Sequence, residues 1–321
     1  MALAIRFHDE QFPDSEENDL RAEILQGFAS APKRTPPKFF YDRRGSELFE
    51  QICLQPEYYP TRTEESILRE AAGEIAEIAG PGASLIELGS GASRKVRLLL
   101  EALRPSSYLG IDISRDFLLS STHRLGADYP WLDVHAACAD FTRPMHLPGS
   151  FIGEHPLAFF PGSSIGNFDP KDAEVFLRNL HDLLPAGGGL LIGVDLVKDK
   201  RILEAAYNDR AGVTAAFNLN LLWRIRDELD SDIQPSRFAH RAFFNEAHSR
   251  IEMHLASPRA QTLRIEGERY DFIPGETLHT ENSYKYSREG FQRLAGRAGF
   301  EPVRVWTDEK ELFSVHYMRR V

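Results

Sequence analysis

The residues whose spacing first suggests chemistry are two glycines placed just after an apolar run. Ser84-Leu85-Ile86-Glu87-Leu88 leads into Gly89-Ser90-Gly91-Ala92-Ser93. Glycines at the carboxyl end of a first strand let the backbone turn sharply and approach a ligand closely. Asp112 ends a second apolar run 21 residues after Gly91, where an acid would accept hydrogen bonds from ribose hydroxyls. The dinucleotide fingerprint needs a third glycine at position 94, and Arg94 stands there, which weakens a nicotinamide or flavin reading. Taken singly, a Gly-x-Gly serves equally well as a structural turn and Asp112 as a helix cap. His240, His248 and His279 lack metal-ligand spacing, and Cys53 and Cys138 form no Cys-x-x-Cys pair, so no metal site is read and both thiols are expected to be inert.

These residues need elements to hold them, and the pattern supplies a βα alternation. Thr63 is expected to cap a helix running to about Ala79, with Glu64 and Glu65 suiting its positive end. Strands are expected at Ser84 to Leu88, Tyr108 to Ile113, Leu132 to Cys138 and Pro156 to Phe160, with helices at Lys95 to Leu103 and Asp116 to Leu125 between them. Asp169 can cap the next helix, with Pro170 at its first position. Ala173, Phe176, Leu177, Leu180, Leu183 and Leu184 then follow one helical face. Pro185 to Gly189 stops that helix, and Leu190 to Leu196 is a fully apolar strand. Alternation at this spacing argues for right-handed βαβ units and a parallel sheet.

From about Asp199 to Ser283 the rhythm changes. A helical stretch, Ile202 to Arg226, is followed by strands such as Arg250 to Ala256 and Thr262 to Glu268. After Ser287 come a helix to Ala298, stopped by Gly299, and strands at Pro302 to Trp306 and Phe313 to Met318. The first thirty residues read as weakly structured, apart from an amphipathic stretch around Leu20 to Phe28.

Composition bounds the partners. The chain has 321 residues, enough for one large or two modest domains. Its 48 acidic and 38 basic side chains give a formal charge of −10, and the basic residues are scattered, which argues against a nucleic-acid partner. No run approaches the ~18 apolar residues of a membrane span, and no secretory pattern opens the chain. The expectation is a cytoplasmic protein with no membrane partner.

Several strings are more specific. They are F-Y-D-x-x-G-S-x-L-F (Phe40 to Phe49), P-E-Y-Y-P-T-R-T-E (Pro56 to Glu64), E-L-G-S-G (Glu87 to Gly91), G-S-S-I-G-N (Gly162 to Asn167), D-L-V-K-D (Asp195 to Asp199), A-G-V-T-A-A-F-N (Ala211 to Asn218) and R-I-E-M (Arg250 to Met253). The Glu87 to Gly91 loop and Asp140-Phe141 after the third strand resemble the nucleoside site of class I methyltransferases. The whole set, from about residue 30 onward, resembles the L-histidine N-alpha-methyltransferases of ergothioneine biosynthesis.

The resemblance implies an α/β fold: a Rossmann-like class I methyltransferase sheet of seven strands with a second, smaller α+β substrate-binding domain. The S-adenosylmethionine-binding domain would comprise 64–198 plus 286–321, and the substrate domain 1–63 plus 199–285, with the active site between them. Gly89, Lys95, Asp112, Asp140 and Phe141 would hold the methyl donor. Tyr41 and Tyr58 would flank the reacting centre, where their rings and Phe49 could face a growing quaternary ammonium. Tyr58, Asn167 and Tyr207 would hold the amino acid's backbone, and Gly162 and Ser164 would line the amine. Glu281 and Ser283, with Asn282 between them, would hold the imidazole, and Met253 would pack its ring. The family pattern has Thr where Ser164 stands, which keeps the hydroxyl. The product implied is the trimethylated betaine, hercynine, made by a monomer without a metal.

The assignments are chemically coherent. Imidazole donates at one nitrogen and accepts at the other, which suits a carboxylate and a hydroxyl two residues apart on a strand. Rival readings are a relative acting on another free amino acid, such as a tryptophan derivative, whose pocket should lack the acid at Glu281, and a non-catalytic S-adenosylmethionine-binding partner protein. Without the family pattern, Met253 reads as core, Glu281 as a solvated acid and Tyr58-Tyr59 as packing at a domain joint.

Overall fold

A computed structural model describes residues 5–8, 16–149, 151 and 155–321. The chain divides into two compact units, one formed by Met1–Phe12, Pro60–Val197 and Tyr284–Val321, the other by Pro13–Tyr59 and Lys198–Ser283. The expected substrate domain began at residue 1; residues 1–4 and 9–15 lie outside the described residues.

Thirteen strands are named among the described residues. The first unit opens with β1 (Arg6–His8), β2 (Ser84–Leu88), β3 (Ser107–Asp112), β4 (Asp133–Cys138), β5 (Pro156–Phe160) and β6 (Gly189–Asp195). The second carries β7 (Ala239–Asn245), β8 (Arg250–Ala256), β9 (Gln261–Ile265), β10 (Glu268–Phe272) and β11 (Thr277–Tyr284), and the chain finishes with β12 (Phe300–Thr307) and β13 (Phe313–Arg320).

In the first unit the strand order is β1-β4-β3-β2-β5-β6-β13-β12. All pairs are parallel except those of β13, which runs antiparallel to both β6 and β12. The order reverses between β2 and β5, the switch point outside whose strand ends a doubly wound sheet binds its ligands. Every residue of β2, β3, β5 and β6 is buried, as expected of parallel strands covered on both faces. Alternate residues feed two cores. Ile86, Leu88, Leu109, Phe160 and Ile192 pack with the Pro170–Leu183 and Arg288–Arg297 helices. Leu85, Tyr108, Phe159 and Leu191 pack with the Tyr59–Ala79 and Arg97–Leu103 helices. The Rossmann-like sheet expected from the sequence is present.

It has eight strands rather than seven. Arg6–His8 pairs parallel with β4, His8 Nε2 lies 3.0 Å from His135 Nδ1, and the two rings stack. Three residues are too few to carry a periodic signal, and a ring contact across 127 positions leaves no local trace.

Other boundaries moved for local reasons. The helix expected from Thr63 starts at Tyr59, because Pro60 suits a first helical turn. Asp169 sits at a helix N-cap without capping it; its carboxylate accepts from Tyr284 Oη at 2.9 Å. The stretch Ile202 to Arg226 is two helices, Lys200–Ala206 and Val213–Glu228, parted before Gly212, which has φ +73°. Thr262 to Glu268 is a hairpin. Glu266 and Gly267, both with positive φ, form the two-residue turn between β9 and β10, the backbone that tight hairpins require.

The second unit is α+β. The Arg43–Cys53 helix packs on the Val213–Glu228 helix, beside a three-stranded sheet in the order β11-β8-β7 and the β10-β9 hairpin. Asp42 caps the Arg43–Cys53 helix by accepting from Gly45 N at 2.6 Å, and takes a second bond from Asn220 Nδ2 at 2.8 Å. No helix among the described residues is long and apolar enough to cross a membrane.

Candidate active site

At the end of β2 the backbone turns through Gly89 (φ +66°) and Gly91 (φ +49°), a region where a side chain is strained. The amides of Gly89 and Ser90 both donate to Ile111 O, at 2.8 and 3.1 Å. Gly91 N donates to Asp112 Oδ2 at 2.8 Å, and Ser114 N to Oδ1 at 2.9 Å. Asp112 therefore shapes the loop itself, with a further backbone bond from Ile113, and two oxygens with about four acceptor sites still leave room for a ligand donor. Burial raises its pKa against the lowering effect of these backbone bonds. The Phe141 ring lies 3.5 Å from where a Cβ at position 89 would be, and it packs on Phe160 and Phe176. Asp140 Oδ1 accepts from Thr142 N at 3.0 Å and Thr142 Oγ1 at 2.5 Å, which fixes the turn after β4.

Beneath the loop is a group that the sequence reading missed. Glu64, expected only to suit the positive end of a helix, is fully buried. Its Oε2 accepts from Lys95 Nζ at 2.6 Å and from Gly162 N at 2.8 Å, with Oε1 3.0 Å from the same amide. Gly193 makes room for it, since a Cβ there would stand 2.0 Å from Oε1. The neighbouring Glu65 holds Arg94, Nε to Oε1 at 2.6 Å. The acid pair Glu64-Glu65 and the base pair Arg94-Lys95 are the signal that could have found this, two opposite dipeptides 30 residues apart.

Gly162 (φ +80°) and Ser163 (φ +58°) turn the chain after β5 into the short Ser164–Asn167 helix. Ser163 Oγ accepts from Asp195 N at 2.8 Å, and Ser164 Oγ donates to Pro161 O at 3.1 Å. Gly89, Lys95, Asp112, Asp140, Phe141, Gly162, Ser164 and Asn167 thus all belong to the first unit. All follow or end the parallel strands β2 to β5 at their carboxyl ends. Glu87, on β2, is buried and accepts from Tyr108 Oη at 2.6 Å; burial lifts its pKa to about 8.

The other expected site residues belong to the second unit. Tyr41, Phe49, Tyr58, Tyr207 and Phe217 form a chain of ring contacts with centroids 5.8 to 6.3 Å apart. Tyr207 Oη donates to Ser283 Oγ at 2.7 Å, so two hydroxyls expected at opposite ends of one ligand touch each other. Tyr58 is buried, which pushes its phenol well above the usual value; Tyr207, Cys53, Tyr41 and Glu281 add to the rise. Glu281 is itself buried. Met253 is buried on β8, and its carbonyl accepts from Thr280 Oγ1 at 3.1 Å. Asn282 hydrogen-bonds the His279 ring.

Behind Glu281 lies a second missed cluster. Glu252, His254 and His279 place ligand-type atoms within 4.8 Å of one another. Each already has protein partners. Glu252 Oε1 accepts from Arg250 and Asn245, His254 Nε2 is 3.1 Å from Glu252 Oε2, and His254 Nδ1 is 3.1 Å from Thr277 Oγ1. His279 Nε2 is 3.1 Å from Glu281 O, and the two imidazoles stack at 4.5 Å. Burial takes His254 down to about 4, and His279 adds to the fall.

Residues 20–320 match the model of a family described as histidine-specific, SAM-dependent methyltransferases. The chain is 42% identical over 302 residues to the histidine N-alpha-methyltransferase of Mycolicibacterium smegmatis, covering 92% of this chain and 93% of that protein. It is 40% identical to the protein of that name from Mycobacterium tuberculosis, covering 90% and 91%. To the 4-dimethylallyltryptophan N-methyltransferase of Claviceps purpurea it is 27% identical, covering 91% and 92%. With this match along almost its whole length, the chain belongs to the histidine-specific, S-adenosylmethionine-dependent methyltransferase family.

Proposed function

We propose that the chain methylates the α-amine of L-histidine from S-adenosylmethionine, three times in succession, giving hercynine for ergothioneine biosynthesis. The observation that carries the choice of substrate is the buried Glu281 carboxylate on the strand that also bears Ser283, itself bonded to Tyr207. A pocket built to hydrogen-bond polar groups rejects analogues that leave those groups unpaired; an indole N–H can donate to Glu281, but an indole has no acceptor nitrogen for the Ser283 hydroxyl.

The donor groups fit a nucleoside. Bare backbone at Gly89, Gly91 and Gly162, all with positive φ, permits close approach, and Asp112 can accept from ribose hydroxyls. When bound, the donor supplies a methyl on a sulfonium, open to in-line displacement by an amine lone pair. The work of this chain is then positional. Gly89, Lys95, Asp112, Asp140 and Phe141 hold the donor. Asn167 and Tyr207 hold the substrate carboxylate, Gly162 and Ser164 line the amine, and Glu281, Asn282 and Ser283 hold the imidazole against Met253. Tyr58, its phenol kept protonated by burial, acts through hydrogen bonding and not as a base at neutral pH. The rings of Tyr41, Tyr58 and Phe49 suit an amine that becomes a quaternary ammonium. Displacement by a neutral amine needs no metal. We place the enzyme in the cytoplasm as a monomer, with no nucleic-acid or membrane partner.

Mass spectrometry of a reaction with L-histidine tests this. The expected result is mono-, di- and trimethylhistidine appearing in order, with every methyl on the α-nitrogen by fragmentation. Methyl on the imidazole ring, or methylation of tryptophan derivatives in place of histidine, would contradict it.

A further inference from the structure

We propose that Glu64 is an electrostatic positioning residue that tunes the donor pocket toward the charged sulfonium and against its uncharged thioether product. The inference rests on the donor site proposed above. Glu64 is fully buried and bound to two parts of that site, the ammonium of Lys95 and the amide of Gly162. A carboxylate taken wholly out of water persists only with a charge partner and hydrogen bonds, and these contacts supply both. The fold makes space for it at a specific cost, a glycine at 193 in the middle of a fully buried strand.

The charges around the donor loop explain why the acid matters. Lys95 and Arg94 bring two positive charges to the chain just after the Gly89 to Ser93 turn, and Glu64 and Glu65 neutralise them one for one. Glu87 also lies within electrostatic reach of Lys95, Asp112 and Glu64, and its raised pKa keeps it largely protonated at neutral pH. Asp140, the remaining acid of the donor site, is offset by Arg143, whose Nε lies 3.7 Å from its Oδ2, so with Glu64 in place Asp112 is left as the surplus charge and the site is negative. Without Glu64, the Lys95 ammonium cancels Asp112 and the site is neutral.

S-adenosylmethionine carries a positive sulfur, whereas S-adenosylhomocysteine, identical elsewhere, carries none. Loss of one nearby carboxylate charge in a low-dielectric pocket should therefore weaken donor binding while sparing product binding. A charge of this kind is worth on the order of tenfold. A buried acid that only braced the loop would weaken both ligands equally.

The test is calorimetric titration of S-adenosylmethionine and of S-adenosylhomocysteine into the full chain. The ratio of the two Kd values is read in wild type, Glu64→Gln and Lys95→Gln, with melting curves to confirm folding. The expected result is a ratio that moves by roughly tenfold against the donor in Glu64→Gln and stays near the wild-type value in Lys95→Gln, where the buried acid, left without its charge partner, takes up a proton and both charges are lost together. An equal loss of both ligands in Glu64→Gln, or an unmoved ratio, overturns the inference. If Glu64→Gln does not fold, Lys95→Gln decides alone, and a ratio that moves tenfold against the donor there overturns it. A wild type that binds neither ligand would instead refute the donor site on which the inference stands.

Discussion

Tyr207 shows how single side chains divide the work. Its hydroxyl donates to Ser283 at 2.7 Å inside a buried cluster, where an unmade hydrogen bond costs more than it does in water. In the proposed complex the substrate carboxylate takes this single O–H donor over from Ser283, and Tyr207→Phe removes it while keeping the ring contact with Tyr58. The expected outcome is a KM for histidine raised about ten- to a hundredfold, as for loss of a bond to a charged group, with the melting temperature lowered by a few degrees because buried Ser283 loses a partner. Steady-state kinetics with histidine varied would check it, and an unmoved KM would remove Tyr207 from the substrate site. Glu64 teaches the opposite lesson. It lies within the P-E-Y-Y-P-T-R-T-E string, yet its partners are 31 and 98 residues away, so the sequence offers only two opposite-charge dipeptides and the fold shows which groups pair.

At the scale of elements, what was legible followed from periodicity and punctuation. Pro156–Phe160 and Arg250–Ala256 appear with the bounds expected, and the helix after Asp169 begins at Pro170. Apolar runs ended by glycine or proline state their own limits. The misses have a common cause. β1 is held by a parallel partner and a histidine pair far along the chain. The β9-β10 turn uses Glu-Gly in place of the usual Asn-Gly or Asp-Gly signal. The Ile202 to Arg226 stretch hid a break because the helical spacing on either side outweighed the turn residues Asn208, Asp209 and Gly212, of which Asp209 accepts from Val213 N and Thr214 N, each at 2.8 Å. Candidate-site residues on the strand ends were readable because they recur in order at the ends of successive strands, although each alone has a structural use. The Glu252, His254 and His279 cluster was not, because it is assembled across β8 and β11.

The molecule as a whole should report its buried titratable groups through pH. His316 is buried, with Nε2 3.0 Å from Ser314 Oγ, and burial, helped by Arg288, lowers it from 6.5 to about 4. A depressed imidazole contributes stability that is fully present above 6.5 and is lost as pH falls toward 4. For His316 this is on the order of 3 kcal/mol. His254 behaves in the same direction. Glu87 has the opposite sign. Raised from 4.5 to about 8, it contributes stability that is full below 4.5 and is lost as pH rises through 8. Denaturant unfolding across pH 4 to 9, the range these groups span, should therefore show an acid limb that flattens in His316→Gln and an alkaline limb that flattens in Glu87→Gln. Limbs that persist unchanged in both variants would contradict these assignments.

The central claim is that this chain recognises free histidine by its imidazole, through Glu281. The most direct measurement is calorimetric titration of L-histidine, and separately L-tryptophan, into the protein saturated with S-adenosylhomocysteine, repeated with Glu281→Ala. The account predicts binding of histidine but not tryptophan to the wild type, and loss of histidine binding in the variant while the product nucleoside still binds. Tryptophan binding without a histidine signal, or histidine affinity untouched by Glu281→Ala, would contradict it.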